Sequence, residues 1–134
     1  MSRNTAMKTV KLLWPLIFGA IFLSGCGSTA PKDLDGVSMQ IQRGMSYRQV
    51  LGIIDGYPVQ RTFRGAGTAV QFCETNVWGD TGDYAVIWMV NDVVEGLTQY
   101  SERVPTMVTD CGGRFREIDW GQAPADVKIK LDID

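Results

Sequence analysis

Few side chains in this chain are of types that do chemistry. It holds three cysteines, Cys26, Cys73 and Cys111, and no histidine. Without histidine there is no Ser-His-Asp or Cys-His catalysis, no histidine-ligated metal and no imidazole to shuttle protons at neutral pH. A redox or nucleophilic thiol would need a Cys-x-x-Cys spacing or a base beside it to lower its pKa, and the sequence offers neither. Asp80-Thr81-Gly82-Asp83 presents oxygens of the kind calcium takes. A full calcium loop needs more ligands and a late bidentate glutamate, so these four residues read as a solvated turn. No metal site and no cofactor are expected, and nothing signals a carboxyl with a raised pKa for acid–base work. The chain therefore reads as a non-enzyme. Its candidate contact residue is Trp78, in the glycine- and acid-bearing loop 74–83. There it either folds back as a lid over a sheet edge or stands exposed as an anchor for a partner.

Composition agrees with a small binding domain. The chain has 134 residues, 45% of them hydrophobic and 21% charged, with 15 glycines and a formal charge of −2. That suits one globular domain rather than a disordered or coiled-coil chain. Lysines and arginines do not cluster, so the electrostatic term that nucleic-acid binding requires is missing. Neither a nucleic acid nor a small-molecule substrate is expected as a partner.

Residues 1–25 carry Arg3, Lys8 and Lys11, no acid, and then the apolar run Leu12 to Leu23. This is the pattern of a signal peptide, starting at Met1 or at Met7. The run contains Pro15 and falls short of the roughly 20 residues that a membrane-spanning helix needs. Leu23-Ser24-Gly25-Cys26 resembles the lipobox of bacterial lipoproteins, in which the cysteine becomes the acylated first residue. The resemblance makes Cys26 the lipidation site, and acyl chains contribute roughly 0.8 kcal/mol per buried methylene, so several hold a protein to a membrane stably. Gly27 and Ser28 follow, without the aspartate that marks inner-membrane retention in enteric lipoproteins. The implied location is the outer membrane, with the domain facing the periplasm. The polar, turn-forming residues 26–36 read as lipidated cysteine and tether, and 37–134 as the domain. From Cys26 onward the chain carries 10 basic and 15 acidic residues, so anchoring is left to the acyl chains rather than to attraction for anionic headgroups.

With Cys26 acylated, Cys73 and Cys111 remain as an even pair in an oxidising compartment, and a disulfide between them is expected.

The elements that would carry these residues are short. Val37 to Arg43 alternates apolar and polar residues and fits either a strand or a short helical turn. Ser46-x-x-Gln49 ahead of Val50, Leu51, Ile53 and Ile54 is a capping box, and Gly56-Tyr57-Pro58 is a stop, predicting a helix over 46–55. Val70 to Cys73 reads as a strand, and Tyr84 to Val90, apolar on both faces, as a central one. Asn91-Asp92 makes a two-residue hairpin turn into Val93 to Tyr100, pairing Val90 with Val93 and Val86 with Leu97. Gly112-Gly113, Phe115, Ile118 and Trp120 suggest a turn and a further short strand, with Trp120 in the core. The alternation of Val127, Ile129, Leu131 and Ile133 predicts an edge strand over 126–134, a place where a partner's strand could add. The fold class is α+β, a small two-layer sandwich of helices on a three- to four-stranded antiparallel sheet.

Gly44-Met45-Ser46-x-x-Gln49-Val50, then Gly56-Tyr57-Pro58, then a hairpin of hydrophobic strands, resembles the SmpA/OmlA (BamE-like) domain of bacterial outer-membrane lipoproteins. The resemblance covers residues 37 to 100. It implies helices packed on an antiparallel sheet, like the β-lactamase-inhibitor-protein fold, and a non-enzymatic part in outer-membrane protein assembly or envelope integrity. The Cys73/Cys111 pair and residues 101–134 lie outside the simplest version of the domain, which makes this chain a divergent member, and no partner-contact residues carry across. The function expected is thus a lipid-anchored binding or scaffold module with an envelope protein as partner. The alternative is a periplasmic inhibitor presenting loop 74–83 to an envelope enzyme.

Overall fold

The computed structural model describes residues 33–75, 81–103 and 110–134. Cys26, Trp78 and Asp80 lie outside the described residues.

The first helix, α1 (Leu34–Gln40), begins where the Asp33 carboxylate accepts the Gly36 N–H at 2.8 Å. This resolves the open reading of 37–43 in favour of helix over residues 37–40, with Ile41 an extended cap, and α1 takes in residues 34–36, which composition had assigned to the tether. Leu34, Val37 and Ile41 recur at helical spacing and are buried, while Met39, which strand alternation would have faced inward with them, is 82% exposed. The second helix, α2 (Tyr47–Ile53), has the expected capping box. Ser46 Oγ accepts the Gln49 N–H, and Gln49 Oε1 accepts the Ser46 N–H at 2.9 Å. The helix ends at Ile54, ahead of Gly56, whose φ of +88° glycine adopts without strain. Val50 and Ile54 are buried, whereas Leu51 is turned outward.

Four antiparallel strands follow: β1 (Val59–Arg64), β2 (Gly67–Thr75), β3 (Thr81–Val90) and β4 (Val93–Arg103), in the sheet order β1-β2-β3-β4. The α+β class with helices on an antiparallel sheet is as expected. β1 has no counterpart in the sequence-based expectations. It joins β2 through the tight turn Gly65-Ala66, where Gly65 has φ +56°. Much of loop 74–83 belongs to strands, because β2 and β3 remain paired out to Thr75 and Gly82.

The β3–β4 turn is Asn91-Asp92, with both residues at positive φ (51° and 60°) as a type I′ turn demands, and Val90 pairs with Val93. Farther along, the register differs from the expected one: Leu97 faces Ile87, and Val86 faces Thr98. The cause is a bulge at Trp88/Met89, where Met89 pairs with Val94 and Trp88 with Gly96, leaving Glu95 as the extra residue.

The C-terminal stretch corrects two expectations. Where a short strand was expected around Phe115 to Trp120, the chain makes two 3₁₀ turns, Cys111–Arg114 and Trp120–Gln122. Residues 126–134 form no edge strand. Ala125–Leu131 is a helix, α3, entered through Pro124 and ended by Asp132 in the left-handed conformation. The alternating apolar pattern is met at helical spacing instead: Val127 is fully buried and Leu131 packs beside it, while Ile129 is 78% exposed. Asp126 in the first turn and Lys128 and Lys130 in the last suit the helix dipole.

Each face of the sheet thus has its own core. On one face Val70, Phe72, Ala85, Ile87, Met89 and Val94 pack against Leu34, Val37, Val50 and Ile54 of α1 and α2. On the other, Ala69, Val86, Trp88 and Val90 pack against Trp120, Ala123 and Val127. Trp88 and Trp120 meet edge to face at 5.5 Å, which places Trp120 in the core as expected. Gly67 makes this close approach possible, since a Cβ there would stand 2.4 Å from Leu131 Cδ1 and 3.0 Å from Trp120 Cζ3. Among the described residues no helix is long and apolar enough to cross a membrane.

Candidate functional site

Cys73 and Cys111 are joined in a disulfide, their Cα atoms 6.1 Å apart. Both are buried, and with Tyr84 they form a small core cluster against Phe115. The Tyr84 hydroxyl donates to the Cys111 carbonyl at 3.2 Å, and its ring stacks on Tyr100 at 4.8 Å. Burial pushes the Tyr84 hydroxyl pKa up. This surrounding suits a structural link that pins the C-terminal stretch to β2.

Two crevices merit comparison with a binding site. The first, of about 160 Å³, lies between the sheet and residues 116–122, floored by Trp88 and Tyr100. Several of its polar groups are engaged by one another. Buried Gln71 donates to the Arg116 carbonyl at 2.8 Å and accepts from the Tyr100 hydroxyl at 2.9 Å. Arg116 lies 3.8 Å over the Tyr100 ring and pairs with Glu102. The second crevice, about 190 Å³, gathers Asp33, Asp35, Glu74 and Asp83. Each of these carboxylates also has work within the fold. Asp33 caps α1, Glu74 accepts the Leu34 N–H at 2.7 Å, Asp35 accepts from Gln99, and Asp83 accepts from Ser101 at 2.6 Å. Among the described residues no three acids or cysteines are grouped so as to hold a metal ion. Asp83, half of the acidic turn considered as a calcium loop, sits within β3 opposite Glu74.

The two edges of the sheet differ in a way that bears on binding. Beside the start of β4, residues 44–47 run alongside it: Gly44 N–H donates to Val94 O at 2.8 Å, Val94 N–H to Met45 O at 2.9 Å, and Tyr47 N–H to Asp92 O at 3.1 Å. Glu95 in the β4 bulge is 9% exposed and takes hydrogen bonds from Arg43 and Lys130; Arg43 also pairs with Asp126. The start of that edge is covered, and Glu95 there is paired.

β1, at the other edge, has no strand on its outer side among the described residues. Its register gives each face of the strand a character. Val59, Arg61 and Phe63 oppose Phe72, Val70 and Thr68 and so lie on the α2 side, while Gln60, Thr62 and Arg64 lie on the other. The Arg61 guanidinium sits 3.9 Å from the centroid of the Tyr47 ring and 4.8 Å from that of Phe63. Phe63 is 62% exposed, and Val59 and Leu51 are exposed with it. Neither Arg61 nor Arg64 forms an ion pair among the described residues. An arginine held between two aromatic rings at an unpaired strand edge combines the side chains that most often carry binding energy with a free row of backbone donors and acceptors.

The sequence had signalled a contact residue at Trp78 and an accepting edge at 126–134. Trp78 lies outside the described residues, residues 126–134 carry helix α3 instead of an edge strand, and among the described residues β1 has no strand on its outer side. No family model, no curated protein and no solved structure matches the chain.

Proposed function

We propose that this protein is a lipid-anchored, non-enzymatic binding module of the bacterial cell envelope. In this reading Cys26 carries the acyl chains at the outer membrane, the domain faces the periplasm, and an envelope protein is its partner. A part in outer-membrane protein assembly or envelope integrity follows from the resemblance to SmpA/OmlA domains. The observation that carries the binding role is the outer edge of β1, which has no strand beside it among the described residues and presents Tyr47, Arg61 and Phe63 together. The engagement of Gln71, Tyr100 and Arg116 in one crevice and of Asp33, Asp35, Glu74 and Asp83 in the other favours surface contact over turnover.

The experiment is mild crosslinking of the full-length protein in cells, then outer-membrane fractionation and mass spectrometry of what accompanies it, alongside a Cys26→Ser variant. The reading expects palmitate label on the parent only, release of the variant from the membrane fraction, and outer-membrane assembly components among the captured proteins. Equal membrane retention of parent and variant contradicts the anchor. Capture of a cell-wall hydrolase alone points to the inhibitor alternative.

A further inference from the structure

We infer that the outer edge of β1 accepts an added strand from an acidic, extended segment of the partner protein, in which apolar residues at alternate positions flank an acidic one. The inference rests on the binding-module reading and specifies the chemistry of its partner.

Main-chain pairing supplies the mode. Six residues of β1 present every second N–H and C=O away from β2, and a strand docked there would lie about 4.8 Å off and continue the sheet. Side chains supply the pattern. Residues of the added strand opposite Val59, Arg61 and Phe63 share one face with them, so the complement there reads apolar, acidic, apolar at every second position. On the other face Gln60, Thr62 and Arg64 call for polar residues with a second acid opposite Arg64.

Charge decides among occupants. A second copy pairing through β1 would put four arginines in one seam with no acid in either strand to offset them. The chain's own stretches outside the described residues also lack the complement: 1–32 and 104–109 contain no aspartate or glutamate, and 76–80 contains only Asp80. An anionic lipid surface would meet a chain that from Cys26 onward carries 15 acids against 10 bases. An acidic strand from another protein is neutralised by Arg61 and Arg64 while its apolar residues cover Val59 and Phe63.

The test uses the full-length protein in nanodiscs of neutral lipid and two peptides of about ten residues. One is built on valine–threonine–glutamate–threonine–valine and the other carries lysine for glutamate. Hydrogen exchange across 59–64 and binding affinity are measured for the parent and for the Arg61→Glu/Arg64→Glu variant, whose melting is checked against the parent. The expected result is slowed exchange within β1 by the glutamate peptide alone, binding that weakens with salt, and a preference that reverses in the variant, each by about tenfold. Equal binding of the two peptides, no binding, or protection confined to β4 overturns the inference. So does slowed β1 exchange on moving to phosphatidylglycerol nanodiscs without peptide, or on raising protein concentration. If the inference fails while in-cell crosslinking still captures a partner through another surface, the binding-module reading stands without it.

Discussion

Arg61 on the edge strand and Tyr47 at the start of α2 are stacked, guanidinium over ring, with 3.9 Å between the guanidinium carbon and the ring centroid. The contact ties a strand that among the described residues is paired on one side only to the helix layer above it, and it holds Arg61 beside Phe63 in an exposed position. A double-mutant cycle of Tyr47→Ala and Arg61→Ala should return a coupling of about 0.5–1 kcal/mol in denaturant unfolding. The same variants should speed amide exchange in β1 while leaving β3 protected.

Gly67 sets how closely the C-terminal layer approaches the sheet. Gly67→Ala puts a methyl against Leu131 and Trp120, and the cost of displacing them should be about 1–3 kcal/mol. Because Trp120 packs on Trp88, tryptophan fluorescence should report the shift before global unfolding.

The disulfide closes a sequence separation of 38 residues. The double variant Cys73→Ser/Cys111→Ser should lose about 4 kcal/mol of stability on the chain-entropy account, read from denaturant midpoints under oxidising conditions. The parent treated with reductant should approach the same value.

Glu95 joins three parts of the molecule: Arg43 between the first two helices, β4, and Lys130 of α3. Hydrogen bonds from Lys130, and then from Arg43, hold its carboxyl below the ordinary glutamate range. The unfolded chain therefore takes up this proton at a higher pH than the folded one. The contribution is present above the unfolded value of about 4.3 and is lost as pH falls through the lower folded value. Glu95→Gln should cost about 1 kcal/mol at neutral pH, and its stability curve should converge on the parent's in acid.

Local signals were legible where the deciding contacts are local. Ser46 and Gln49 cap each other three residues apart, and Asn91-Asp92 makes its turn from its own backbone, so α2 and the β3–β4 hairpin can be read from sequence. β1 escapes because it is short and mostly exposed, with Gln60, Arg61, Thr62 and Arg64 giving no apolar period, and the candidate interface escapes with it. Its one available signal was Gly65 between Phe63 and the strand-like stretch Val70 to Cys73. α3 was misread because apolar residues at every second position also contain a helical pair four apart, Val127 and Leu131. Pro124 ahead of it, with Asp126 early and Lys128 and Lys130 late, was the sign of a helix. The bulge at Glu95 was not legible, since the partners of Glu95 there, Arg43 and Lys130, are far from it in sequence.

The most direct measurement of the binding role is site-resolved photocrosslinking in cells, with the crosslinker placed in the full-length protein at position 63 on the β1 edge or at position 129 on α3. Both parent side chains are exposed, and they lie on different faces of the sheet. One discrete adduct with an envelope protein is expected from position 63, absent from position 129 and lost when Arg61→Glu is added. No adduct from position 63, or the same adducts from both positions, would contradict it.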